Sequence, residues 1–91
     1  MNAPRLSVAI STFRRATGLK RLLEALRPQI EGRPAREVVV VNDGSHDATY
    51  ELVVRSFADI VGYEPLTENV GIARARNMAA ASARGAYLVF T

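Results

Sequence analysis

The run EVVVVN, Glu37 to Asn42, constrains this chain more than any other segment. Four consecutive valines are β-branched, which suits an extended backbone. They are apolar on both faces, because successive side chains of a strand point to opposite sides. Such a strand belongs in the interior of a parallel sheet with helices above and below. The preceding residues supply its partners. LSVAIS, Leu6 to Ser11, reads as a second buried strand behind Pro4. Leu19, Leu22, Leu23, Leu26 and Ile30 recur at helical spacing, a stripe wide enough to dock on a sheet. Pro28 falls inside that stripe, so the helix is expected to end or kink near Arg27, before a loop at Gly32, Arg33 and Pro34.

Beyond the valines, Asp43-Gly44-Ser45 breaks the strand. Tyr50, Val53, Val54 and Phe57 form a second helical stripe, with Ser45 or Asp47 as its N-cap. Ile60 to Tyr63 is a short strand. Asn69 and Gly71 precede a third helix, Ile72 to about Arg84, whose small apolar face is Ile72, Ala75, Ala79 and Ala83. Gly85 is expected to stop it at C′, and Tyr87 to Thr91 is a last strand. The order βαβαβαβ predicts an α/β fold of three layers with a mainly parallel sheet.

Composition narrows the chemistry. The 91 residues contain no cysteine and one histidine, His46, which excludes disulfide scaffolds, thiolate zinc sites and multi-histidine metal sites. The longest aliphatic run, Val38 to Val41, is far short of the roughly 20 apolar residues of a membrane span. The N-terminus lacks the apolar core of a signal peptide, so a cytoplasmic address is expected. The net charge is +3, and every cation but Lys20 is an arginine. That balance suits an anionic ligand, and arginine is the better bidentate partner for phosphate. The arginines are scattered rather than gathered in a stripe, which argues against a nucleic-acid partner.

In parallel α/β sheets ligands bind beyond the carboxyl ends of the strands. Three segments fall there. Ser11, Thr12 and Phe13 end the first strand, with hydroxyls and amides to meet a base or ribose. Asp43 follows the second strand and offers acceptors to the N–H groups of a uracil or guanine edge. Asn69 and Gly71 open the third helix, where free amides favour anions. Arg74 and Arg76 project about 200° apart on that helix. With Ile72 marking the buried side, Arg76 is expected at the sheet edge and Arg74 in solvent. GxxxxGK[ST] and GxGxxG are absent, which weakens phosphate-loop and classical dinucleotide readings. A receiver-like signalling module or another non-catalytic nucleotide-binding module shares the βα alternation. The receiver would want an acidic pair where Ser11 and Thr12 stand.

SVAISTFRR, EVVVVNDGSHDAT, and ENVGIARARN running into ARGAYLVF together resemble the N-terminal half of family 2 glycosyltransferases of the GT-A fold. The resemblance implies inverting transfer of a sugar from a nucleoside-diphosphate donor to an acceptor, glycan or lipid. It implies that Ser11, Thr12, Phe13 and Asp43 hold the nucleoside. Arg76, followed by Asn77, matches the arginine of the family's ARN motif. This chain differs at Ser11, Arg14, Asn42 and Ala79, where the family often has proline, asparagine, an acid and glycine. In the family a strand like YLVF runs into an aspartate-rich DxD segment that holds a divalent cation, Mn or Mg. Residues 1–91 are therefore expected to be a partial nucleotide-sugar-binding domain, cut before that segment. The metal ligands and the catalytic base would lie beyond Thr91, as would any membrane contact, and the 91 residues alone should be inactive.

Overall fold

The computed structural model describes residues 6–33, 35–45, 48–85 and 87–90, and the main chain alone at 52, 54 and 87–90. His46, Asp47, Pro34, Pro4 and Thr91 lie outside the described residues, as does the side chain of Val54. The elements are β1 (Leu6–Thr12), α1 (Ala16–Ile30), β2 (Arg36–Asn42), α2 (Thr49–Phe57), β3 (Val61–Pro65), α3 (Ile72–Ser82) and β4 (Tyr87–Phe90). They form one four-stranded sheet in the order β3-β2-β1-β4, every pair parallel. The valine run of β2 is interior, as its two apolar faces require.

Strand alternation divides the core. Val8, Ile10, Val38 and Val40 point to one face, against Leu19, Leu23 and Ile30 of α1, Val53 and Phe57 of α2, and Val61 of β3. Each such side chain contributes about 1.5–3 kcal/mol on burial. Ala9 and Val41 point to the other face, against Ala75 and Ala79 of α3. The small residues let α3 approach β1 and β2 closely. The chain moves outward from β1 to β3 with its helices on one face. It then returns past β1 to β4 with its helix on the other. That change of direction puts the topological switch point between β1 and β4.

Four local expectations are corrected. Helix α1 continues through Pro28 to Ile30. Buried Ile30 and the Arg27 side chain hold that last turn. Arg27 donates to Glu31, to Asp59 and to the Ser56 carbonyl oxygen, tying α1 to α2. Helix α2 starts at Thr49 with Ala48 at its N-cap, so Ser45 does not cap it. Tyr50, expected in its apolar stripe, is exposed and meets the Tyr63 ring edge-on, centroids 6.2 Å apart. Helix α3 ends at Ser82, and Gly85 is not among the glycines of positive φ. Gly85 is required for closeness instead: a Cβ there would lie 2.7 Å from the Ser7 nitrogen.

Candidate donor site at the carboxyl edge of the sheet

The two residues at the end of β2 diverge. Asn42 points to the α2 side and organises the turn that follows. Its Oδ1 accepts the Ser45 N–H at 3.1 Å, and its Nδ2 donates to the Tyr63 hydroxyl at 2.9 Å. Its carbonyl accepts the N–H groups of Gly44 and Leu66, each at 2.9 Å. Asp43 points to the α3 side and is 3% exposed. Its Oδ1 accepts the Val70 N–H at 2.7 Å, and its Oδ2 accepts the Gly71 N–H at 3.1 Å. Asn69 Nδ2 reaches the Asp43 carbonyl at 3.4 Å. Gly44 sits at φ 80°, and a Cβ there would lie 2.5–2.6 Å from the backbone of Glu68 and Asn69. Glycine is needed for both reasons, the positive φ and the close approach.

The end of β1 joins the same assembly. The Asp43 N–H donates to the Thr12 carbonyl at 2.8 Å. The Arg14 N–H donates to Ser45 Oγ at 2.8 Å. Arg14 adopts φ 54°, a left-handed conformation uncommon for a residue with a Cβ. Its guanidinium lies over the Phe13 ring, 4.9 Å from the centroid. A cavity of about 260 Å³ opens beside Ser11 and Thr12, walled by Ile10, Leu19 and Leu22 and rimmed by Arg15. Thr12 is buried, while Ser11 and Phe13 are half-buried. A larger groove, about 690 Å³, lies at the opposite edge among Arg33, Arg36, Glu37 and Arg84. Strand polarity argues for the smaller one, because helix N-termini and the switch point meet at the carboxyl edge.

The structure thus brings Ser11, Thr12, Phe13, Asp43, Asn69 and Gly71 to one edge. The third helix departs from expectation at Ile72. Ile72 is 70% exposed although it shares the helical face of buried Ala79. Ala75 and Ala79 mark the buried face, and Arg74 and Arg76 are both exposed. The amide of Gly71 is not free, being held by Asp43. Ser45 was legible as part of the strand-end segment Asn42–Ser45; Tyr63 and the packing of the Glu68–Asn69 backbone on Gly44 were not. An Asn three residues before a Ser was a legible turn signal; the Tyr63 contact had none. Among the described residues no group of three His, Asp or Glu side chains could hold a metal ion. A divalent cation does not fit the residues described.

Glycosyl transferase family 2 matches residues 7–91. The chain is 40% identical to validoxylamine A glucosyltransferase of Streptomyces hygroscopicus subsp. jinggangensis, over 98% of this chain and 22% of that protein. TarS of S. aureus (residues 1–349) superposes with a TM-score of 0.85 at 29% identity, over 96% of this chain and 26% of that one. It has also been solved in complex with UDP. The mannosyltransferase PcManGT of Pyrobaculum calidifontis, solved with GDP-Man and Mn²⁺, gives 0.76 at 31% identity, over 91% of this chain and 25% of that one. The chain spans about a quarter of the length of these proteins. Its parallel α/β sheet, its three edge motifs and the family match over residues 7–91 agree: the chain belongs to glycosyl transferase family 2.

Proposed function

We propose that this chain is the donor-nucleotide half of a glycosyltransferase that moves a sugar from a nucleoside diphosphate to an acceptor with inversion. One observation carries the reading: the ends of β1 and β2 and the start of α3 are hydrogen-bonded into a single edge beside the switch point. The nucleoside lies against Ser11–Phe13 and the Asp43 turn, and the Asn69–Arg76 segment faces the diphosphate. The solved complexes of TarS with UDP and PcManGT with GDP-Man support a nucleotide at this fold. Each Asp43 oxygen has a second lone pair beyond the one its amide uses, so a base N–H can still be accepted there.

In such a transfer an acceptor hydroxyl attacks the anomeric carbon, the nucleoside diphosphate leaves, and a base takes the hydroxyl proton. Residues after β4 supply that base and the cation ligands. On this reading residues 1–91 are a partial domain, in keeping with their spanning about a quarter of the relatives' length. No helix among the described residues is long and apolar enough to cross a membrane. The protein works in the cytoplasm, and any contact with the inner membrane face comes from regions outside this chain.

Titration calorimetry with UDP and GDP, with and without Mn²⁺ or Mg²⁺, tests the reading beside a transfer assay across nucleotide sugars. The expected result is weak nucleotide binding, insensitive to metal, with no transfer by the 91 residues. Metal-dependent turnover by this chain would contradict the assignment of the chemistry to later residues.

A further inference from the structure

The turn after β2 and the loop before α3 fit each other at four points. Asp43 accepts two consecutive amides, Val70 and Gly71, one on each carboxylate oxygen. Asn69 returns a bond to the Asp43 carbonyl. Gly44 leaves room for the Glu68–Asn69 backbone where any Cβ would collide. Gly71 adopts φ 96°, which glycine tolerates and which turns the chain from the loop into the helix. Charge-assisted bonds to main-chain amides are about twice as strong as neutral ones. A carboxylate beside the start of α3 also complements the positive end of its dipole. An acid that served only to read a ligand edge would need neither both amides nor a glycine beside it.

We propose that this interlock is a positioning device for the donor site. Acting through the amides of Val70 and Gly71, Asp43 fixes where α3 begins. It thereby sets where Asn69 and the first turn of α3 stand relative to Ser11–Phe13. Asp43 is in this role a positioning residue, independently of any contact its carboxylate makes with the nucleoside. The inference rests on the donor-binding reading above. It adds that the carboxylate is needed even for ligands whose base it does not touch.

The test uses two variants that keep the carboxylate and break the fit. Gly44→Ala drives a methyl group against the Glu68–Asn69 backbone, and Val70→Pro removes one of the two donors. Dissociation constants for UDP, GDP and CDP are measured by NMR titration of the ¹⁵N-labelled chain, together with the Gly71 and Ile72 amide signals. Uracil and guanine carry a ring N–H where cytosine has none, so the three nucleotides separate base reading from positioning. Expected are displaced Gly71 and Ile72 signals and a common rise in all three constants, roughly tenfold, equivalent to about 1.4 kcal/mol. Asp43→Asn should also raise all three constants, with a further loss for UDP and GDP, whose bases carry the ring N–H. Displaced signals with wild-type affinities would overturn the proposal. So would a loss seen only in Asp43→Asn and only for UDP and GDP. Hydrogen exchange of the wild-type chain gives a second readout that needs no variant. Protection of the Val70 and Gly71 amides should rise with each nucleotide alike, and unchanged protection at saturation would overturn the role. Failure of the wild type to bind any nucleotide would defeat the donor reading. Wild-type binding retained by both variants would defeat the positioning role alone.

Discussion

Strand β2 has an acid near each end, and both acids hold the same helix. Asp43, after its carboxyl end, accepts the Val70 and Gly71 amides at the start of α3. Glu37, near its amino end, accepts the Arg84 N–H at 2.6 Å just past the end of α3. There the resemblance stops. Glu37 also accepts the Ser7 hydroxyl at 2.5 Å, that hydroxyl accepts the Gly85 N–H at 2.8 Å, and the Arg84 guanidinium lies 3.6 Å away. Burial pushes the Glu37 carboxyl up, but the Ser7 and Arg84 hydrogen bonds and the Arg84 charge outweigh it, and the group titrates below the usual glutamate range. The difference follows from strand polarity. Helices begin at the carboxyl edge, so an acid there meets unpaired N–H groups and a favourable dipole. They end at the amino edge, so an acid there needs a serine and an arginine beside it. At the amino edge the end of α3 is tied down by side chains and the contact serves stability, whereas the carboxyl edge is built from loops that a ligand can engage.

The largest expected effect separates two glycines of positive φ. Gly44→Ala should cost about 3 kcal/mol, combining left-handed strain with a forced backbone shift. Gly32→Ala, also at positive φ but with nothing within 4 Å of the added methyl, should cost only about 1 kcal/mol. Urea denaturation of both variants checks the contrast, and equal losses would mean that the fit between the two carboxyl-edge loops contributes nothing. Next comes Asp43→Asn, which should weaken nucleotide binding by about 1–3 kcal/mol in calorimetry. Unchanged affinity with the fold intact would remove Asp43 from the site.

Glu37→Gln should lower stability by about 1–2 kcal/mol at neutral pH and leave nucleotide affinity alone. The sign of its pH dependence is set by a folded value below the unfolded one. The stabilisation is full above the ordinary glutamate value, near 4.5, and is lost as pH falls through the lower folded value. The wild type should therefore lose stability in acid more steeply than Glu37→Gln, and parallel acid melts would contradict the lock. The smallest effect is expected from Asp59→Asn, which removes an exposed partner of Arg27; the change should shrink further in salt.

Much of this was legible in the sequence, for reasons that can be named. Val38 to Val41 required an interior strand, and the Leu19–Leu26 stripe required a helix upon it. What escaped depended on neighbours distant in the chain. Pro28 alone predicts a helix end, but Ile30 in the core and Arg27 reaching Asp59 and Ser56 carry α1 past it. Gly85 looks like a helix stop, but it answers to Ser7, 78 residues earlier. Ile72 fits a buried stripe by spacing, yet it is exposed while Ala75 and Ala79 are buried. At the site, the residue types and their edge were readable from strand ends. That Asp43 holds the start of α3 was not, because its partners are main-chain amides, which any sequence could supply.

Titration of the ¹⁵N-labelled wild-type chain with UDP and GDP tests the division between the two edges most directly. Chemical-shift changes should gather at Ser11–Arg14, Asn42–Ser45 and Asn69–Arg76, leave Glu37 and Arg84 unmoved, and be the same with and without Mg²⁺. Changes centred on the groove at Arg33, Arg36 and Arg84, or none at either edge at saturating nucleotide, would contradict it.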